Sequence, residues 1–276
     1  MAEPDLPRDA LLTAARTARQ HGPVPLIFAS TPALYLLDNW LEHARRAGLN
    51  NTILIALDSA AAAHPCGPGC TTIHLPFTGD FNALWLLRLH VFELLANNSI
   101  DFVHSDIDAV WLGDVRPECY ADPSLDLTFS QGLFLPLQAH SAWGFVLCCG
   151  LFSVRAGPAS GNFLAAVKQR WETEKDDQVA VNLLLLDQHI AWQKNPANSY
   201  TITRGDRTMT CYSHTLRGVV PTQNLTIGLL PFHRVPRLPG PAANTIVRHP
   251  YSTRDPADRI LALRQSGAWL EAGPEG

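Results

Sequence analysis

Lysine is nearly missing from this 276-residue chain. Only Lys168, Lys175 and Lys194 occur, so almost all of its basic charge is arginine. Alanine, leucine and proline are abundant, so this bias reflects genomic base composition and carries no functional message. An excess of positive charge is missing too: the formal net charge is -4, which removes the electrostatic case for a nucleic-acid partner or an anionic membrane. Long apolar runs are also absent. Ile53 to Leu57 and Leu183 to Leu186 fall far short of the about 20 residues that cross a bilayer. The opening Met1-Ala2-Glu3-Pro4-Asp5 is acidic and carries no secretory signal. Together these absences predict a soluble, cytoplasmic protein with no transmembrane segment, or one of the secretory-pathway lumen if the native N-terminus is truncated here.

Cysteine is present but sparse. Six cysteines in a chain of this size do not form a disulfide framework, and free thiols are expected. His64, Cys66, Cys70 and His74 could supply four zinc ligands, although their spacing is not a standard zinc-finger one. Asn-x-Ser/Thr sequons at Asn50, Asn97 and Asn224 matter only in a secreted protein.

What the chain does have is a core and a pair of acids. At 46% hydrophobic and 17% charged residues it can bury a substantial interior. The central stretch runs from Ile100 to Leu112, with Asp106 and Asp108 between two apolar segments. Read as a buried strand that delivers the carboxylates at its C-terminal end, its alternation puts both on one side and turns Ile107 away. No Lys or Arg lies between Arg88 and Arg116, so no cation is near in sequence to neutralise the pair. A hard divalent cation carrying an anionic ligand such as a diphosphate would satisfy them.

The remaining elements frame that stretch. Asp9 to Gln20 reads as a helix with Asp9 as N-cap. Val24 to Ala29 is a buried strand ending at Ser30-Thr31, Pro32 opens a helix closed by Gly48, and Thr52 to Leu57 is a second strand ending at Asp58. Small and acidic residues at strand C-termini mark where α/β sheets bind ligands, although on the residues alone plain capping and turn chemistry is the better explanation of Ser30, Thr31 and Asp58. Thr72 to Leu75 is a short strand and Asn82 to Ala96 a helix bearing Arg88. The pattern predicts an α/β fold with a mainly parallel sheet covered by helices on both faces. Beyond Asp126 the chain gives strands at Leu125 to Phe129 and Gly144 to Val154, then a helix from Gly161 to Glu174. A further helix opens with Asp176 and Asp177. Those two acids either complement the helix dipole or, for Asp177, share a face with Gln178 and Asn182. Residues 195 to 245 are rich in Pro, Gly, Thr and Asn, and Thr245 to Pro250 is a last strand presenting His249. A short helix then runs through Leu263.

The run Phe102-Val-His-Ser-Asp106-Ile-Asp108-Ala-Val-Trp111-Leu resembles the signature of the nucleotide-diphospho-sugar transferases of glycosyltransferase family 77. Four further segments follow in that family's order: Val24 to Trp40, Phe81 to Leu95, Gly150-Leu-Phe-Ser-Val-Arg155 and Asp177-Gln178-x-x-x-Asn182. The closing Val247-Arg-His249 and Leu263-Arg-x-x-Gly267-x-Trp269 are similar as well. The resemblance implies a GT-A fold, with an N-terminal helical extension over residues 1–21 and one domain over 22–270. That domain would divide into a nucleotide-binding half at about 22–125 and an acceptor and catalytic half at about 126–270. It also implies manganese or magnesium, a UDP-sugar of galactose, xylose or arabinose type as donor, and transfer with retention to a glycan or glycoprotein hydroxyl. By the same resemblance, Asp106, Asp108 and His249 are the metal ligands and Asp177 and Gln178 the catalytic pair. Ser30, Thr31, Asp58, Arg88 and Asn182 are the donor contacts. Departures occur at Cys148-Cys149, where an Asn and a small residue are usual, at Pro250 after the histidine, and at Arg88 and Arg259 in place of lysines. Two other readings stay open on the residues alone. One is a haloacid-dehalogenase-type phosphohydrolase, which also ends a strand in Asp-x-Asp, and the other is a non-catalytic nucleotide-sugar binder.

Overall fold

The computed structural model describes residues 4–238, 243–253 and 255–271; residues 1–3 of the expected extension and 239–242 of the expected acceptor region lie outside them. Helix α1 (Arg8–Ala18) comes first, with Pro7 at the N-cap position expected for Asp9. Asp9 lies in the first turn, where an acid favours the helix dipole. Then follow β1 (Val24–Ala29), α2 (Leu34–Arg46), β2 (Thr52–Ala56), α3 (Ser59–Ala63), β3 (Cys70–His74), α4 (Phe81–Asn97) and β4 (Phe102–Ser105). The second half brings β5 (Val110–Trp111), α5 (Arg116–Cys119), β6 (Leu127–Gln131), α6 (Leu137–Trp143), β7 (Leu147–Val154), α7 (Pro158–Glu174) and α8 (Asp177–Asp187). It ends with β8 (Ala191–Trp192), β9 (Ser199–Arg204), β10 (Arg207–Tyr212), β11 (Leu216–Val220), β12 (Leu225–Leu229), β13 (Val247–Arg248) and α9 (Pro256–Gln265).

Nine strands form one sheet in the order β3-β2-β1-β4-β7-β6-β12-β11-β8. β3, β2, β1 and β4 are parallel to one another, as continuous apolar strands joined by helices require. The second half is mixed, because β7 runs antiparallel to both β4 and β6. Successive residues of each strand feed opposite faces. Leu26, Phe28, Ile53, Ile55 and Phe102 join the core under α4 and α7, whereas Ile27, Leu54 and Val103 join the core under α2. Helix α1 lays Leu11 and Ala15 on the first of these cores. None of the described helices is long and apolar enough to cross a membrane.

One expectation is corrected at the centre of the sheet. The strand does not itself carry the two acids at its end: β4 stops at Ser105, and Asp106-Ile107-Asp108 lies in a turn closed by the Ala109 N–H donating to the Asp106 carbonyl at 3.0 Å. The break is built from buried polar groups. Trp111 Nε1 donates to Ser105 Oγ at 3.1 Å, and Trp40 Nε1 donates to the Ala109 carbonyl at 3.0 Å. The two indoles meet edge to face, 6.0 Å apart, with no exposed surface. A continued strand would have left these groups without partners, so the turn is the satisfied arrangement.

The Trp111→Ala variant should therefore lose about 3–5 kcal/mol of stability, read as a lower urea midpoint at unchanged slope. A loss below 1 kcal/mol would show that the indole does not hold the turn.

Candidate active site

The turn after β4 points Asp106 and Asp108 to one side of the sheet's C-terminal edge. His249 reaches them from the far end of the chain because β13 pairs antiparallel with β5, matching Val247 to Trp111 and Arg248 to Val110. One ligand atom from each of Asp106, Asp108 and His249 lies within 4.8 Å of the other two. His249 Nε2 is 3.4 Å from Asp108 Oδ1, and its buried Nδ1 has no hydrogen-bond partner. Gly150 gives the cluster its space: a Cβ there would stand 2.3 Å from His249 Cε1 and 2.5 Å from Asp106 Oδ2.

The absence of a cation near the acids in sequence does not carry over to space. Helix α4 packs beside β4 and inserts Arg88, which is buried, between two carboxylates. Its Nη1 donates to Asp106 Oδ1 at 2.9 Å, and its Nη2 lies 3.2 Å from Asp177 Oδ2. The same Nη2 reaches the Cys149 carbonyl at 3.3 Å. Burial disfavours the Asp106 carboxylate, but Arg88, His104 and His249 outweigh it and hold the acid well below the usual carboxylate range. Asp108 is also lowered, burial being overcome by His249. Burial and Arg237 oppose the charged form of His249, yet Asp108 and Cys148 raise it to about 9. His104, buried and close to Arg88, is pushed down to about 4 and is neutral.

Asp176 and Asp177 divide their roles. Asp176 caps α8, accepting from the Val179 N–H at 2.8 Å. Asp177 is buried and faces Arg88; burial raises it to about 7 against the pull of that guanidinium. Asn182, fully buried, bonds both the N–H and the carbonyl of Leu147, at 2.8 and 2.9 Å, and so fastens α8 to β7. Gln178 donates to the Leu135 carbonyl at 2.8 Å and borders a second cleft.

A cleft of about 240 Å³ opens above the acids, lined by Ser30, Arg88, Asp106, Asp108 and Arg259 among others. Thr31 and Asp58 are not among its lining residues. The Thr31 N–H and hydroxyl donate to Asp58 at 2.7 and 2.8 Å, and Asp58 caps α3 through the Ala61 N–H at 2.8 Å. Sequence reading missed Phe81 and Trp85, whose rings stand 6.5 Å apart on the cleft wall. Their i, i+4 spacing at the start of α4 was the available signal. The zinc constellation does not assemble. His64 pairs with Asp38 at 2.6 Å, and among the described residues the acid–acid–histidine set is the only cluster of metal-binding geometry. All six cysteines are free.

Known proteins place this architecture. The structure is similar to the galactosyltransferase LgtC solved with donor and acceptor sugar analogs, with a TM-score of 0.51 at 12% identity over 91% of this chain and 98% of that one. An active-site mutant of LgtC gives 0.50 at the same identity and coverage. The glycosyltransferase GlyE of Streptococcus pneumoniae in its apo form is also similar, at a TM-score of 0.42 and 13% identity over 60% of this chain and 43% of that one. At these identities the likeness to LgtC establishes the fold alone, a GT-A-type α/β fold with a large mixed sheet. Residues 47–235 match the family described as nucleotide-diphospho-sugar transferase, and the chain belongs to that family. It is accordingly a glycosyltransferase, which displaces the phosphohydrolase reading. No curated protein matches the sequence at a significant level.

Two outcomes test the buried ion network. Arg88→Met strands two carboxylates and should cost about 3–5 kcal/mol at pH 8, measured by urea unfolding. For Asp177, a carboxyl ionising near 7 in the fold and near its ordinary 3.8 when unfolded holds more protons folded than unfolded. Its stabilising effect is thus present at low pH and lost as the pH rises from about 4 to about 7. Wild type should lose stability relative to Asp177→Asn across that window. A constant gap between the two would show that Asp177 is ionised throughout.

Proposed function

We propose that this glycosyltransferase moves a sugar from a UDP-sugar to a glycan or glycoprotein hydroxyl with retention, using a divalent cation held by Asp106, Asp108 and His249. The observation that carries the reading is the convergence of those three residues beside the space kept open by Gly150. Two carboxylates and an imidazole are hard oxygen and borderline nitrogen donors, a set suited to manganese or magnesium. When bound there, such a cation supplies positive charge to the diphosphate and acts as a Lewis acid toward the leaving group.

The chain's own residues do the remainder. Arg259 stands in the cleft wall as a second source of positive charge for the phosphates, and Phe81, Trp85 and Ser30 offer apolar and polar surface to the nucleoside. Arg88 faces the cleft with Asp177 behind it, so Asp177 positions Arg88 and sets the polarity of the pocket floor where a donor hydroxyl would bind. Gln178, which borders the second cleft, belongs to the acceptor side. Asp177 is buried and paired, which favours front-face transfer over a covalent intermediate: the leaving phosphate oxygen takes the proton of the attacking hydroxyl. Membership of family 77 rests on the ordered motif set, and galactose, xylose and arabinose are the donor sugars that suit it.

Thermal unfolding with UDP, manganese or both tests this on wild type, Asp106→Ala/Asp108→Ala and Gly150→Ala. With manganese present, UDP at about 100 times its dissociation constant should add about 2.7 kcal/mol. Stabilisation should need both ligands together and vanish in both variants. An unshifted wild type would overturn the proposal; a shift would direct a donor-hydrolysis screen across UDP-sugars.

A further inference from the structure

The second cleft, bordered by Gln178, is the larger at about 710 Å³, within the range of small-molecule sites. Its charge runs against that of the chain. The whole molecule carries a formal net charge of -4, yet Arg204, Arg207 and Arg237 line this cleft with Asp206 as the sole carboxylate among its described lining residues. Arg204 and Arg207 are directly opposite each other across β9 and β10. Like charges in that register weaken a strand pair. The hairpin holds without them: Met209 and Cys211 are buried with Phe232, and Gln131 Nε2 donates to the Thr210 carbonyl at 2.9 Å. The guanidiniums stand over different rings, Arg204 lying 5.0 Å from the Tyr251 ring centre and Arg207 5.9 Å from that of Phe134. Arg237 adds two buried donors, Nε and Nη1, that have no partner. Three arginines against one carboxylate leave the cleft with uncompensated positive charge, which calls for an anion, and planar guanidiniums suit carboxylate, sulfate and phosphate oxygens.

We propose that this cleft is the acceptor subsite and takes a saccharide bearing an acidic group, either a carboxylate or a sulfate or phosphate ester. The inference rests on the transferase reading above. The cleft is placed for it: Gln178 belongs to the helix that carries Asp177, and the charge of Arg237 acts on both Cys148 and His249. Leu135 and Tyr251, 61% and 49% exposed, give the apolar surface that the carbon face of a sugar ring needs. The hydroxyls of an uncharged glycan can accept hydrogen bonds here but bring no charge to balance the three arginines, whereas an acidic group supplies both.

The test uses pairs of saccharides that differ only in charge: tetragalacturonate and its methyl ester, and lactose 6′-sulfate and lactose. Binding to the full chain is followed by saturation-transfer NMR and calorimetry. At least one acidic member should bind ten-fold or more tighter than its neutral partner, and the pair that responds separates a carboxylate from an ester anion. Arg204→Gln/Arg207→Gln, both at exposed hairpin positions, should abolish that preference while the UDP and manganese stabilisation persists. Equal binding within both pairs, or a preference unchanged in the double variant, overturns the proposal. Loss of the UDP and manganese shift in wild type would instead strike the transferase reading, so the two failures are told apart.

Discussion

Arg88 is the constraint on which the site depends. A guanidinium with almost no solvent exposure must have anionic partners, and α4 delivers it to two, Asp106 at the turn after β4 and Asp177 at the start of α8. That single side chain ties together three elements distant in sequence. It also divides the acids by function. Asp106 is held ionised with one oxygen turned toward Asp108 and His249, while Asp177 is kept in the interior, where burial raises its pKa.

The sheet makes that arrangement affordable. Parallel strands β1 and β4 end at one edge, and the antiparallel β7 beside β4 brings Gly150 against the carboxylates. Only a residue without a side chain can stand there, since a Cβ would collide with both Asp106 and His249. The indoles of Trp40 and Trp111 and the hydroxyl of Ser105 hold the turn from beneath. The polar cluster is therefore built on a rigid, hydrogen-bonded floor, which preorganises it.

Much of this was legible in residue order. Apolar runs bounded by Gly, Pro and acids located β1, β2, β4 and the helices between them, because both faces of a parallel sheet are buried and the strands must be apolar throughout. The Asp-x-Asp pair was readable as a candidate metal set by its chemistry and His249 by resemblance, and the fold brings the three together. The strand break after Ser105 was not, since a turn and a strand share the same apolar flanks, and only the indole contacts distinguish them. Asp58 and Thr31 looked like ligand contacts yet bond to each other, an outcome local sequence cannot separate from binding. Helix α6 and the β9–β10 hairpin fell in stretches whose Pro, Gly and Thr content gave no period to read.

Sequence by itself determined the fold class, the order of elements and the identity of the acidic pair, because hydrophobic period and residue chemistry are local properties. Tertiary structure alone decided which charges meet. Arg88 neutralises Asp106 rather than lying remote from it, and His249 completes the cluster through the short pairing of β13 with β5. Three arginines scattered along an acidic chain converge on one cleft. Electrostatic energy depends on distance through space, which separation along a chain does not encode.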